Sequence, residues 1–286
     1  MYNIICNPVA GKKKAFVNLR TIERVLTERG VPYKVHKSGG VHDAEYIARK
    51  LTEQGETEFI VIGGDGTLNE VLNGLKDPSV CKVGLIPSGT GNDFAARMGI
   101  SLDAEKAILR ILDGEAKPVD YIDVSGTRSM NVAGLGMDVD VLERCQRGRM
   151  RGKLKYLMSL IKSLFAFKGY RVKIVGEGVE QTRDVLICAV CNGAVFGGGI
   201  KICPEADPTD GLMNVVIVDC IGGKWKIVKA FIELMKGKIL EYPLTTYFKA
   251  ESVEFIPENA CPIQLDGEVY QNHEFKAKIC KGLKFY

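Results

Sequence analysis

The residues richest in chemistry are Val61-Ile-Gly-Gly-Asp-Gly-Thr-Leu-Asn-Glu70. Glycines let a backbone turn tightly and approach a ligand closely. A helical pattern opens at Thr67, and a helix start offers unpaired N–H groups and a positive dipole end, both suited to phosphate. Asp65 sits in the turn, where a carboxylate could organise a metal ion or take a proton. The same residues also fit a plain capped turn, because Thr67-x-x-Glu70 has the spacing of a capping box. Two further glycine loops, Asn7-Pro-Val-Ala-Gly-Lys-Lys-Lys14 and Pro87-Ser-Gly-Thr-Gly-Asn-Asp93, also follow apolar runs. The first is neither a Walker A loop nor a G-x-G-x-x-G fingerprint, which excludes ordinary P-loop chemistry. Lys12 could neutralise a phosphate, whereas Lys13 and Lys14 read as solvated residues opening a helix. Thr90 and Asp93 fit a helix cap and its N3 carboxylate, and equally a nucleotide contact.

The elements that must position these loops come in two styles. Strands over 2–6, 33–37, 59–62 and 83–86 alternate with helices over 13–29, 43–54, 67–75, 91–98 and 103–112. Short apolar strands without alternation suit a parallel sheet buried on both faces. Residues 1–122 are therefore expected to form a doubly wound, three-layer α/β domain that binds nucleotide outside the carboxyl ends of its strands. Strands dominate from there, over 118–125, 128–134, 170–175, 183–192, 213–219, 245–249, 252–256 and 274–280. Many alternate apolar and polar residues, as in Phe275-Lys276-Ala277-Lys278-Ile279, so residues 123–280 are expected to form an antiparallel β-sandwich. Helices over 153–167 and 224–236 interrupt it, and a return of residues 281–286 to the first domain is open to the same reading.

Composition narrows the function classes. A chain of 286 residues with net charge +4 carries no cationic tail, aromatic-rich RNA motif or zinc-finger spacing, so no nucleic-acid partner is expected. The nine cysteines are scattered through strand patterns, and Cys188-x-x-Cys191 lacks a second pair, which reads as buried reduced thiols. His36, His42 and His273 have no metal-ligand spacing. The chain enters a strand at Tyr2 without a signal-peptide pattern, and Leu154–Phe167 is too short to span a bilayer. A soluble, cytoplasmic protein is the expectation.

Three segments of the second half are ambiguous from spacing alone. Leu265-Asp-Gly-Glu-Val269 would aim Asp266 and Glu268 to one face of a regular strand, yet Asp-Gly is also a common hairpin turn. Asp207-Pro-Thr-Asp-Gly-Leu212 has the composition of an ordinary turn. Arg144–Arg171 holds nine basic residues and no acidic ones, with an apolar stripe from Leu154 to Phe165, a pattern able to rest on anionic lipid or to pack inward. Trp225, inside Gly223-Lys-Trp-Lys-Ile227, is another candidate interfacial residue.

Taken together, Asn7-Pro-x-Ala-Gly11, Gly63-Gly-Asp-Gly-Thr67 and Gly89-Thr-Gly-Asn-Asp-Phe94 resemble the diacylglycerol-kinase catalytic domain. Phe196-Gly-Gly-Gly-Ile-Lys201, Pro204–Leu212 and Leu265-Asp-Gly-Glu268 extend the resemblance over nearly the whole chain, most closely to the soluble bacterial diacylglycerol kinases. The resemblance implies transfer of the ATP γ-phosphoryl group to diacylglycerol or a similar lipid, giving phosphatidic acid, with Mg²⁺ assisting. It implies a nucleotide-facing set of Asn7, Pro8, Ala10, Gly11, Lys12, Ser38, Gly63, Gly64, Asp65, Gly66, Thr67, Glu70 and Thr90. It makes Asp266 the proton acceptor, helped by Glu268, with Asp65 organising the metal. Related sphingosine kinases give the base role to the GGDG aspartate, so Asp65 and Asp266 stay interchangeable. Asp210 and the carbonyls of Asp207 and Leu212 would hold a structural Mg²⁺. A homodimer and peripheral membrane association are expectations of the same kind. The alternatives are NAD kinase, which shares the GGDG turn, and a nucleotide-dependent lipid-binding protein without turnover.

Overall fold

The computed structural model describes residues 1–137, 139, 169–197 and 199–286. The basic segment 144–168 and the helix expected over 153–167 lie outside the described residues. The chain divides into two compact units, Met1–Tyr121 with Cys280–Tyr286, and Ile122–Ile279.

The first unit is built from β1 (Tyr2–Cys6), α1 (Ala10–Glu28), β2 (Tyr33–Lys37), α2 (Asp43–Glu53), β3 (Glu58–Gly63), α3 (Asp65–Gly74), β4 (Lys82–Pro87), α4 (Asp93–Arg97) and α5 (Ala104–Asp113). Apolar runs such as Phe59–Ile62 are wholly buried, which makes them central strands. The parallel order is β2-β1-β3-β4, and the end of the chain adds Lys284 and Phe285 beside β4 in the same direction. Such an order has its switch point between β1 and β3, where α/β sheets bind ligands. The register makes this concrete. Cys6 pairs with Ile62 and Gly63 with Pro87, so the loops opening at Asn7, Gly64 and Ser88 leave the sheet at one edge.

Helix α1 buries Ala15, Leu19, Ile22, Val25 and Leu26, one stripe at helical spacing. Its regular turns begin beyond Lys13, close to the expected 13–29. Its first turn is not regular: Gly11, Lys12 and Lys13 have φ of 55°, 56° and 76°. Left-handed backbone at two consecutive lysines costs about 1–2 kcal/mol per residue. The surrounding contacts must hold this turn open.

The second unit continues from β5 (Lys117–Val124) through β6 (Thr127–Ser129), β7 (Val132–Gly136), β8 (Tyr170–Gly176), β9 (Val179–Cys191), β10 (Val195–Phe196), β11 (Ile200–Lys201), β12 (Met213–Asp219), α6 (Lys224–Met235), β13 (Thr245–Ala250), β14 (Ser252–Pro257), β15 (Ile263–Leu265), β16 (Glu268–Tyr270) and β17 (Phe275–Phe285). The ladder β16-β15-β7-β9-β8-β14-β17 is antiparallel, and β12 joins β9 to β13. Residues of β9 alternate between two cores. Cys188 and Val190 join Val215, Ile217 and Phe255, while Ala189 and Cys191 join Val216, Val218 and the inner face of α6. Cys188 and Cys191 therefore serve different cores. The described cysteines are free thiols, most of them buried.

The strand expected over 128–134 is split into β6 and β7. The reason is local: the amides of Met130 and Asn131 turn away from the ladder to a carboxylate, that of Asp266.

Candidate active site

In the first unit, three loops close on one another through polar side chains. Asn7 Nδ2 donates to Thr67 Oγ1 at 3.3 Å, joining the first loop to the second. The backbone N–H of Ser88 donates to the Gly63 carbonyl at 2.7 Å, and Asn18 Nδ2 donates to Ser88 Oγ at 2.8 Å. Asn92 closes its own loop, accepting from Gly89 N–H at 2.9 Å and donating to Gly89 O at 3.0 Å. A Cβ on Gly64 would run into the Cα of Gly89, and one on Gly89 into the Cα of Gly64, so a side chain on either would push the loops apart. A Cβ at Gly11 would run into the Ser88 carbonyl, at a position whose φ already favours glycine.

Asp65 is the keystone. Its Oδ2 accepts from Asp93 N–H and its Oδ1 from Phe94 N–H, both at 3.1 Å. The aspartate of the second loop thus caps the helix that follows the third. This corrects the expected role of Thr90 as cap: Thr90 is exposed, and the residue before α4 is Asn92, in left-handed backbone without a side-chain cap bond. The capping box at Thr67 and Glu70 is also corrected. Helix α3 begins at Asp65 with no side-chain cap, and the Glu70 carboxylate instead accepts from the N–H groups of His42 and Ala44, both at 3.1 Å. Glu70 caps α2, the neighbouring helix, with a charge that the α2 N-terminus favours.

The loops enclose a cleft of ≈ 330 Å³ lined by Asn7, Ala10, Gly11, Gly64, Asp65, Gly66, Thr67, Glu70, Gly89, Thr90 and Gly91. Gly89 and Gly91 join the expected set. Pro8, Lys12, Ser38 and Gly63 are not among the lining residues; Lys12 is exposed, and Ser38 is buried with its N–H on the Cys6 carbonyl at 2.9 Å. The lining is small, rich in backbone and built from oxygen and N–H groups, the chemistry that takes a polyphosphate. Burial pushes the Cys6 thiol at the end of β1 up to about 11, against the opposing charge of Lys37, so it is no thiolate nucleophile.

In the second unit, Asp266 and Glu268 do not share a strand face. Leu265 pairs with Glu268, leaving Asp266-Gly267 as a two-residue hairpin loop with φ of 49° and 89°. That is the I′ geometry for which Asp-Gly is favoured. The Asp266 carboxylate accepts from Ser129 Oγ at 2.9 Å and from the N–H groups of Met130, Asn131 and Val132 at 2.6, 2.9 and 3.0 Å. Three of these bonds fall on Oδ1 and one on Oδ2, and together they anchor the 129–132 segment to the hairpin. Glu268, half-buried at the start of β16, accepts from the Tyr270 hydroxyl at 3.1 Å through Oε2.

The 207–212 loop is held by its own polar groups and by one lysine. The Asp207 side chain closes on Thr209, accepting from its N–H at 3.0 Å and its hydroxyl at 2.7 Å. Asp210 Oδ1 accepts from Leu212 N–H at 3.0 Å, and its Oδ2 pairs with Lys249 Nζ at 2.6 Å. That hydrogen bond holds the Lys249 ammonium above its usual range. Asp210 is thus paired with a lysine from β13. Among the described residues, no group of three His, Cys, Asp or Glu side chains is placed to hold a metal ion.

The comparisons with known proteins agree with this division. Residues 1–124 match the diacylglycerol kinase catalytic domain, and residues 131–282 match the YegS C-terminal NAD kinase beta sandwich-like domain. A protein of Cronobacter sakazakii (strain ATCC BAA-894) named "Probable lipid kinase YegS-like" is 32% identical, over 92% of this chain and 89% of that protein. A diacylglycerol kinase of Mycobacterium tuberculosis (strain CDC 1551 / Oshkosh) is 27% identical, over 87% and 82% respectively. The crystal structure of a diacylglycerol kinase from Bacillus anthracis str. Sterne shares the fold, with a TM-score of 0.76 at 22% identity over 99% of this chain and 95% of that one. With a diacylglycerol kinase catalytic domain followed by a YegS-type β domain, the chain belongs to the diacylglycerol kinase and YegS-like family of lipid kinases.

Proposed function

We propose that this kinase transfers the γ-phosphoryl group of ATP to the free hydroxyl of diacylglycerol, giving phosphatidic acid and ADP. The observation that carries the reading is the three-loop cleft around Asp65, at the sheet edge where α/β domains bind nucleotides. The backbone of Gly11, Gly64 and Gly89 lets the triphosphate lie against the main chain, and Thr67 and Asn7 fix the loops that receive it. Each Asp65 oxygen accepts one backbone hydrogen bond and retains acceptor capacity toward the cleft. An oxygen-rich lining with one such carboxylate fits a hydrated Mg²⁺ that arrives with the nucleotide. When bound, that ion neutralises charge on the β- and γ-phosphates.

The acceptor oxygen attacks the γ-phosphorus as the bond to the ADP oxygen breaks, and the hydroxyl proton must go to a carboxylate. Glu268 is assigned that proton, with Asp266, which also holds the 129–132 segment, as the second candidate. The β-rich unit is assigned the lipid, and the protein meets it at a membrane surface. Among the described residues, no helix is long and apolar enough to cross a membrane.

Purified protein with γ-labelled ATP and Mg²⁺, offered a panel of hydroxylated lipids, should place label on diacylglycerol. NAD is the control acceptor. Label on NAD with none on any lipid would overturn the reading.

A further inference from the structure

A kinase whose acceptor is embedded in a bilayer needs a surface that touches lipid, and α6 with its leading loop supplies one. Helix α6 turns Ile227, Ala230 and Leu234 inward to the core formed with β9 and β12. That stripe accounts for its packing. Trp225 is not part of it: at 86% exposure it is the most exposed large apolar side chain among the described residues. Ile221, four residues earlier at the tip of the loop, is 55% exposed. Between them, Gly222 and Gly223 both have φ of 88°, and this turn leads directly into the helix.

The charges around this apolar pair have one sign. Lys224, Lys226 and Lys229 are all exposed, and no acidic residue lies between Asp219 and Glu233. Those two acids face other cations, Asp219 toward Arg183 at 3.6 Å and Glu233 toward Lys236 at 3.1 Å. Lysines near the start of a helix also meet its positive dipole end, and an anionic surface would supply counter-charge to both. Tryptophan is a residue of the membrane–water interface, and basic residues beside it draw a protein to anionic lipid.

We propose that the Ile221–Lys229 segment is a lipid anchor, with Ile221 and Trp225 entering the interfacial layer of an anionic bilayer and the three lysines meeting its headgroups. The proposal rests on the reading that the acceptor is a membrane lipid, and it names the surface that reaches it.

Trp225 is the chain's single tryptophan, so the emission of the unmodified protein reports this position alone. Vesicles of phosphatidylcholine with phosphatidylglycerol should shift that emission to the blue and shield it from acrylamide, and vesicles of phosphatidylcholine alone should do so far less. The triple variant Lys224→Gln, Lys226→Gln, Lys229→Gln should lose roughly a hundredfold in affinity for the anionic vesicles. The double variant Ile221→Ser, Trp225→Ser should no longer co-sediment with them. It should show a raised KM for vesicle-embedded diacylglycerol and unchanged turnover of a water-soluble short-chain diacylglycerol. Vesicle binding that leaves Trp225 emission unchanged, or variants that bind like the parent, would overturn the anchor. So would a blue shift that follows protein concentration without vesicles, which would mean that a second copy covers this face. A vesicle-induced shift in a protein that phosphorylates no lipid would uphold the anchor and count against the kinase reading alone.

Discussion

Asp65 and Asp266 both precede a glycine at the end of a strand, and they are built for different work. Asp65 accepts two backbone N–H groups, from Asp93 and Phe94, and lines an open cleft. Asp266 accepts four donors from the 129–132 segment and sits in a hairpin turn. The contrast teaches that an acid beside glycine marks a tight turn, while the donors on its carboxylate show which segments it ties together. In the first case the acid ties two loops and faces a cleft. In the second it ties a hairpin to the 129–132 segment.

The largest effects should come from breaking the contrast at its chemical side. Asp65→Ala should lower kcat by about a thousandfold or more, as loss of a preorganised charge in a phosphoryl-transfer site does. It should also cost about 1 kcal/mol of stability, because α4 loses its cap. Glu268→Gln should lower kcat by about 10²–10⁴-fold with Tm unchanged, the signature of a lost proton acceptor. Asp266→Ala should do the reverse and lower stability by about 1–3 kcal/mol or more, since several buried donors lose their partner. Steady-state kinetics beside thermal melts separate the three. An Asp266→Ala enzyme with native Tm and no activity would give Asp266 the proton-acceptor role.

Gly11→Ala sharpens the comparison on the cleft side. It meets the Ser88 carbonyl and a left-handed φ, so it should raise KM for ATP and cost about 1–3 kcal/mol. Smaller still is the response of the 207–212 loop. With Lys249 balancing Asp210, EDTA should leave the Tm of the nucleotide-free protein unchanged, and Lys249→Met should lower it by a degree or so, about the worth of one exposed ion pair. A melt that drops on chelation would return a structural metal to this loop.

Much of the architecture was legible because it rests on local pattern. The strands Tyr2–Cys6, Tyr33–Lys37 and Met213–Asp219 have the expected bounds, and the change from buried parallel strands to alternating ones near residue 120 follows from apolar spacing. The three glycine loops gave the cleft. What escaped was every role set by a partner far along the chain. Glu70 has the local spacing of a capping box on its own helix but serves α2, whose N–H groups lie 26 and 28 residues away. Asn18 and Asn92, which brace the third loop, carry no spacing signal at all. Asp266-Gly267 was ambiguous because period two and a two-residue turn fit the same five residues, and only the pairing of Leu265 with Glu268 decides between them. Lys249 stands 39 residues from Asp210 on another strand, so nothing near the turn announced it.

The central claim is that the Asp65 cleft carries ATP whose terminal phosphoryl group goes to diacylglycerol. Its most direct measurement is the transfer of label from γ-labelled ATP to diacylglycerol by the wild-type protein and by Asp65→Ala, side by side. Labelled phosphatidic acid from the first and at least a thousandfold less from the second is the predicted result. No labelled lipid from the wild-type protein, or equal labelling by both, would contradict it.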